Sequence, residues 1–273
     1  MPDSAPSTPS LNGTTSPVSS PSNSESSLLD GALRAYGTFV FRYRDYLVPA
    51  ALLLIVLFTH PLPWRGDARA DAVLDALGIC IALAGQSMRV LVIGLAYIQR
   101  GGKNKRIAGD ELVTDGMFAH CRHPLYLGNF LLLLGLLMVW NSPAAYLLGL
   151  SAVGLSLFAM AYAEESFLRR KFGAPYAAYC RQVNAFVPNP RGLRSTLARF
   201  QFDWRRVIRK EYGTTFSWTT TAVLLVVLEH AVWSNGADLR GAAIAGVSVW
   251  LCLAVLWGTA RWLKKSGRLS SNA

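Results

Sequence analysis

Long apolar runs separated by short polar segments dominate the chain after residue 27. A helix needs about 20 apolar residues to cross the roughly 30 Å hydrocarbon core of a bilayer. Six segments approach or meet that length, at about 46–62, 72–98, 124–140, 144–163, 216–233 and 241–263. His60-Pro61-Leu62-Pro63 closes the first. Asn141-Ser142-Pro143 separates the third from the fourth, and such residues favour a tight turn over helix continuation. These two segments are therefore predicted to fold back on each other as an antiparallel hairpin.

The remaining stretches carry other patterns. Residues 28–46 mix Leu28, Leu29, Leu33, Tyr36, Phe39 and Val40 with Arg34, Arg42 and Arg44, the composition of an amphipathic helix lying at the membrane surface. Residues 1–27 are Ser, Pro, Thr, Asn and Gly, with too little apolar surface to offset the entropy of folding, and are expected to be a disordered tail. They lack the basic start and apolar core of a signal peptide. Residues 189–210 set Phe200, Phe202 and Trp204 among seven Lys and Arg residues. That stretch reads as an interfacial helix on anionic lipid or as a plain basic loop. No internal repeat is visible.

Composition sharpens the picture. Apolar residues make up 52% of the chain and charged ones 16%, against about 25% charged in a soluble domain. The fold class expected is all-α: a polytopic membrane bundle of about six transmembrane helices. The net charge of +11 raises nucleic acid as a partner, but the basic residues are spread over the loops, so no nucleic acid is expected. With both termini in the cytoplasm, 23 of the 27 Lys and Arg residues fall in cytoplasmic segments. Only Arg65, Arg69 and Arg240 lie on the other side, and Arg89 lies within the second span. This follows the excess of positive charge on cytoplasmic loops. The four cysteines, Cys80, Cys121, Cys180 and Cys252, form no CxxC pair and no zinc-ligand spacing, so no metal is expected from them.

A few polar residues stand out against this background. Arg89 follows Gln86 by one turn inside an apolar helix, where a charge costs at least about 2.5–3.5 kcal/mol. Both are expected to face the bundle or a wet cavity and are candidate substrate-lining residues. Glu164 and Glu165 end the fourth span and precede Arg169-Arg170-Lys171, which can hold them ionised. His123 and Tyr126 open the third span, with Pro124 suited to a first helical turn. His120 and Arg122 lie just before. The hairpin brings Arg122, His123 and Tyr126 to Glu164 and Glu165. A helix N-terminus beside them can bind an anionic group.

At these residues the sequence resembles a known family. Glu111-Leu112-Val113-Thr114-Asp115-Gly116 followed by Arg122-His123-Pro124-Leu125-Tyr126-Leu127-Gly128 is similar to the "LVTxG…RHPxYxG" signature of membrane methyltransferases. That group includes isoprenylcysteine carboxyl methyltransferases and phospholipid N-methyltransferases. The order Glu164-Glu165, Leu168, Phe172-Gly173, Tyr176, Tyr179, Val183 and Pro188 resembles its second half. The likeness covers roughly residues 99–188. It divides the chain into a tail (1–27), an interfacial helix with two spans (28–98), a methyltransferase core (99–188) and a basic segment with two further spans (189–273).

The resemblance implies S-adenosyl-L-methionine as cofactor, held at the cytoplasmic end of the hairpin. It implies that Leu112, Val113, Phe118, His123, Pro124, Leu125, Tyr126 and Glu164 border the cofactor, that Glu165 and Arg122 are catalytic, and that Phe172–Pro188 closes the site. A lipophilic small molecule or lipid in the bilayer would accept the methyl group. Two features depart from the family pattern: Phe118 stands where Tyr is common, and 158–163 lacks the Arg that the isoprenylcysteine branch is expected to use for its carboxylate substrate. Methyl transfer asks for positioning and exclusion of water rather than a distinctive nucleophile or metal. This agrees with the lack of a Ser-His-Asp set or a P-loop. The competing readings are a membrane reductase of the steroid-reductase type using NADPH, and a non-catalytic membrane protein with a vestigial site.

Overall fold

Eight α-helices carry most of the described residues, and no strand occurs among them. The computed structural model describes residues 22–62, 68–95, 111–199, 201–234, 236 and 238–269. In chain order the helices are α1 (Ser22–Phe58), α2 (Ala68–Leu95), α3 (Pro124–Trp140), α4 (Pro143–Phe172), α5 (Ala174–Gln182), α6 (Leu193–Arg199), α7 (Trp204–Trp233) and α8 (Leu239–Lys265), with a short 3-10 helix at Gly116–Ala119 before α3. Four of them, α2, α4, α7 and α8, are long and apolar enough to cross a membrane, while α3 is apolar but only 17 residues long. The molecule is an integral membrane protein built as a helical bundle.

The centre of the bundle is α3, which buries nine residues, Leu132, Leu136 and Trp140 among them. One side of α3 lies on α2 and the other on α4, while α1 lies along α4 and α7 leans on both α2 and α3. The core joins Val40, Phe41 and Ile55 of α1 to Leu136 and Leu137 of α3, Leu157 and Met160 of α4, and Trp218 and Leu225 of α7. α2 and α3 approach each other closely along a seam of glycines. A Cβ added to Gly85 would stand 2.6 Å from the Gly128 carbonyl, and one added to Gly78 would stand 2.7 Å from the Gly135 carbonyl. Both pairs are spaced seven residues apart. Small residues on one stripe are what lets two helices in lipid come this close.

The predicted hairpin is present. Asn141 takes a left-handed conformation, with φ at 41°, and ends α3, while Pro143 sits in the first turn of α4. The turn also holds the end of α1 in place. Leu62 and Asn141 share a backbone hydrogen bond of 3.0 Å, Asn141 Nδ2 donates to the Leu62 carbonyl at 2.6 Å, and Trp140 Nε1 donates to Thr59 Oγ1 at 2.8 Å. The outermost helix, α8, packs chiefly on α7 through Phe216–Trp250 and Phe216–Trp257 ring contacts and leaves Ile244, Val247, Leu251, Val255 and Leu256 facing outward.

Three expectations need correction. The interfacial helix expected at 28–46 and the span at 46–62 are one continuous helix, α1, with Pro49 inside it. Neighbouring helices and local adjustment allow such a proline within a membrane bundle. The basic stretch 189–210 is not a single interfacial helix. It divides into α6 and the first two turns of α7, which begins at Trp204 rather than near Phe216. Residues 22–27 of the expected disordered tail are helical. The rest of that tail (1–21), Arg65, the 96–110 part of the basic loop and Phe200 lie outside the described residues.

Candidate active site

The hairpin places two acidic side chains at the end of α4 against the beginning of α3. Pro124 opens α3, with His123 at its N-cap in a non-helical conformation. Proline suits that position because its missing N–H would be unpaired there in any case. One turn on, the Tyr126 hydroxyl donates to Glu164 Oε2 at 2.9 Å. His123 Nε2 lies 3.0 Å from Glu165 Oε1, and Arg122 Nη2 lies 3.1 Å from the same oxygen. Arg169, one turn along α4, reaches Glu165 Oε2 at 3.8 Å. The two carboxylates thus differ. Glu165 is enclosed by three basic side chains, whereas Glu164 keeps 26% of its side chain exposed.

The segment after α4 folds back over this cluster. Arg122 N–H donates to the Asn184 carbonyl and His123 N–H to the Ala185 carbonyl, both at 2.9 Å, and Asn189 N–H donates to the His120 carbonyl at 2.9 Å. The Tyr179 hydroxyl donates to the Phe118 carbonyl at 2.7 Å. His123 lies between two rings, Tyr126 at 5.5 Å and Phe186 at 5.4 Å between centroids. His120 is held by the Asn189 carbonyl (2.7 Å) and Thr196 Oγ1 (2.9 Å), which ties α6 to the same place.

Burial and charge act together on this segment. Burial pushes the Tyr176 phenol well up, and the negative charge of Glu165 adds to it. Burial likewise raises the Tyr179 phenol and the Cys121 thiol. Burial works against the charge of Arg122, but Glu165 and Cys180 outweigh it and hold the guanidinium above its usual value. Arg122 Nε is buried without a hydrogen-bond partner among the described residues.

Leu112 and Val113 lie half-buried in the irregular segment that leads into the 3-10 helix. Phe118 and Leu125 pack with Val92, Leu95 and Met117, so this wall of the site is apolar. Arg89 and Gln86 are elsewhere. They sit one level deeper, where α2, α3 and α7 meet. Arg89 makes a bidentate ion pair with Glu211, Nε to Oε2 and Nη2 to Oε1, both at 2.8 Å, and also reaches Asn129. Gln86 takes the Trp218 indole N–H at 3.0 Å and lies 3.4 Å from Glu211 Oε2. These side chains spend their polar atoms on one another.

Sequence reasoning did not find Glu211, Asn129 or Thr196; Tyr179 it placed in the signature, and Phe186 only as part of the closing segment 172–188. The one available signal for Glu211 is that it continues the apolar spacing of Trp204, Val207 and Ile208.

Known proteins share this arrangement of sequence. The sequence model of the phospholipid methyltransferase family matches residues 74–175. The chain is 32% identical to the cobalt-zinc-cadmium resistance protein CzcN of Cupriavidus metallidurans over 179 residues, covering 64% of this chain and 74% of that protein. It is 28% identical to a protein-S-isoprenylcysteine O-methyltransferase of Tribolium castaneum, over 44% of each chain. It is 30% identical to methanethiol S-methyltransferase 2 of Bradyrhizobium diazoefficiens, over 55% of this chain and 61% of that one. No solved structure matches the chain significantly. The hairpin with its signature residues and these relatives lead to one conclusion: the chain belongs to the isoprenylcysteine and phospholipid methyltransferase family of integral-membrane methyltransferases.

Proposed function

We propose that this protein transfers a methyl group from S-adenosylmethionine to a lipophilic acceptor in the bilayer, at the cytoplasmic end of the α3–α4 hairpin. The observation that carries the reading is the unequal pair at the end of α4. Glu165 is engaged by Arg122, His123 and Arg169, while Glu164 takes the Tyr126 hydroxyl, has His123 Nδ1 no nearer than 4.0 Å and keeps 26% of its side chain exposed.

The residues present fit the cofactor. A sulfonium and an ammonium group call for a carboxylate and aromatic faces, which Glu164, Tyr126 and Phe118 offer. The cofactor's carboxylate calls for a guanidinium, and Arg122 has a buried, unpartnered Nε. Leu112, Val113, Leu125 and Pro124 form the apolar side. When bound, the cofactor supplies an activated methyl group.

Each chain residue then has a physical task. Glu165 holds Arg122 and His123 in fixed rotamers. The backbone bonds from 122–123 to 184–185 close the site against water, which strengthens every charge interaction inside it. Arg89 and Gln86 serve the acceptor side indirectly by fixing α7 against the hairpin. The excess of Lys and Arg in the loops supports an orientation with both termini in the cytoplasm.

The test is calorimetric titration of S-adenosylhomocysteine into detergent-purified protein, beside Glu164→Ala. Binding by the wild type and its loss in a folded variant is the expected result. A folded wild type that binds NADPH and not S-adenosylhomocysteine would overturn the reading in favour of a reductase.

A further inference from the structure

The far end of the bundle carries a second cluster of titratable groups that methyl transfer does not use. Asp71 and Asp75 lie on successive turns at the start of α2, and Glu229 lies in the last two turns of α7. One carboxylate oxygen from each falls within 4.8 Å of the other two. The position is opposite the methyltransferase cluster, because Asn141, at the turn of the hairpin, lies 3.4 Å from Asp71.

Three carboxylates this close repel one another strongly unless protons or a cation intervene. Most acidic clusters are solvated surface features, but this one is enclosed. Asp71 is 2% exposed and Glu229 3% exposed. Within it, Glu229 Oε1 and Asp75 Oδ1 are both buried and accept no hydrogen bond from any described residue. A buried carboxylate oxygen left without a donor costs free energy, and such oxygens are normally found to be satisfied. Here the two orphaned oxygens belong to two different helices and lie in the same group. Asp75 is only half-buried, which leaves a path in from the membrane surface.

We propose that Asp71, Asp75 and Glu229 form a binding site for a divalent cation that fastens α7 to α2 at the end of the bundle away from the hairpin. The donor set is all oxygen. That chemistry favours hard cations such as Ca²⁺, Mg²⁺ or Mn²⁺ over those that prefer nitrogen and sulfur. Three negative charges in a confined, partly dehydrated place give a cation a large electrostatic gain. Water completes the coordination on the half-exposed side. The site joins α2, which packs on the hairpin, to the first of the two C-terminal helices, so its role is to hold those helices in register.

The experiment uses the full chain in nanodiscs, stripped with a chelator and titrated with Mn²⁺ while the free-ion resonance signal is followed. Ca²⁺, Mg²⁺ and Zn²⁺ are then added as competitors. The expected result is about one Mn²⁺ bound per chain with a dissociation constant on the order of 10⁻⁵ M or below, displaced by Ca²⁺ or Mg²⁺. Glu229→Gln and Asp75→Asn keep size and shape and should each weaken binding at least about tenfold. Asp238→Asn, an exposed carboxylate at the same end, should leave it unchanged. Asp75 is half-buried, so if Glu229→Gln does not fold, Asp75→Asn decides the matter. The proposal fails if folded wild-type protein binds no Mn²⁺, or if a folded cluster variant binds it as tightly as the wild type; the three groups then share protons instead.

Discussion

Arg89 of α2 and Glu211 of α7 meet in a two-pronged ion pair in which both side chains are at least 97% buried, and the same guanidinium reaches Asn129 of α3. A charge placed in a membrane bundle thus finds its counter-charge on a helix that begins more than a hundred residues later. This pair is the polar joint between the hairpin region and the C-terminal helices. Removing one member leaves the other buried and uncompensated, which typically costs about 3–5 kcal/mol. Glu211→Ala and Arg89→Leu should each lower thermal stability in detergent by that order. The double variant Arg89→Leu with Glu211→Leu should lose less than either single one. A loss in the double variant equal to the sum of the two single losses would mean the pair contributes no coupling.

The two acids of α4 should respond differently to change. Tyr126→Phe removes the hydroxyl that orients Glu164 and should weaken S-adenosylhomocysteine binding about 3–10-fold with little loss of stability. Glu165→Gln frees Arg122 and His123, so it should also loosen the segment around 184–189 that they hold through their backbone. Faster hydrogen exchange at Arg122 and His123 in Glu165→Gln, but not in Tyr126→Phe, is the pattern to look for. Identical exchange in the two variants would contradict the division of roles.

Much of this site was legible because its parts are local. The turn at 141–143 fixes which helix ends meet, and the order Arg122-His123-Pro124 and Glu164-Glu165 then brings the charges together. Glu211 was not legible. The basic residues from 191 to 210 mask the apolar spacing of Trp204, Val207 and Ile208, so the chain there reads as a surface segment until the contact with Arg89 is seen. The continuity of α1 was hidden for a related reason. Arg42 and Arg44 mark a membrane boundary in composition, but nothing in them ends a helix. The Asp71–Asp75–Glu229 group depends on two helices far apart in sequence, which no local pattern can join.

The segment over the active site should open in alkali. Burial raises the phenols of Tyr176 and Tyr179 above their ordinary value near 10 and the Cys121 thiol above 9.0. A raised value means the folded state holds the proton more tightly than the unfolded one. Its stabilisation is fully present below the ordinary value and is lost as pH rises through the folded one. The midpoint of thermal unfolding should therefore fall from about pH 9 upward. Ionised Tyr179 can no longer donate to the Phe118 carbonyl. Phenolate absorbance should show these two tyrosines titrating above the ordinary value near 10, and Tyr179→Phe should reduce the steepness of the fall. A midpoint that stays flat to pH 11 would contradict the buried state of these groups.

The glycine seam between α2 and α3 makes a demand on the site from a distance. A Cβ on Gly128 would stand 2.7 Å from Cγ of Arg89 and 2.9 Å from the Gly85 carbonyl. Gly128→Ala must therefore push the Arg89 side chain aside as well as part the helices. Overpacking of this kind usually costs about 1–3 kcal/mol. Gly85→Ala meets the Gly128 carbonyl at 2.6 Å and the backbone of Leu132, but not Arg89. Both variants should lose stability. Only Gly128→Ala should also reduce the coupling between Arg89 and Glu211 in a double-mutant cycle, because it displaces the methylenes that carry the guanidinium. A Gly128→Ala protein with normal stability would mean that α2 and α3 stand further apart than the structure has them.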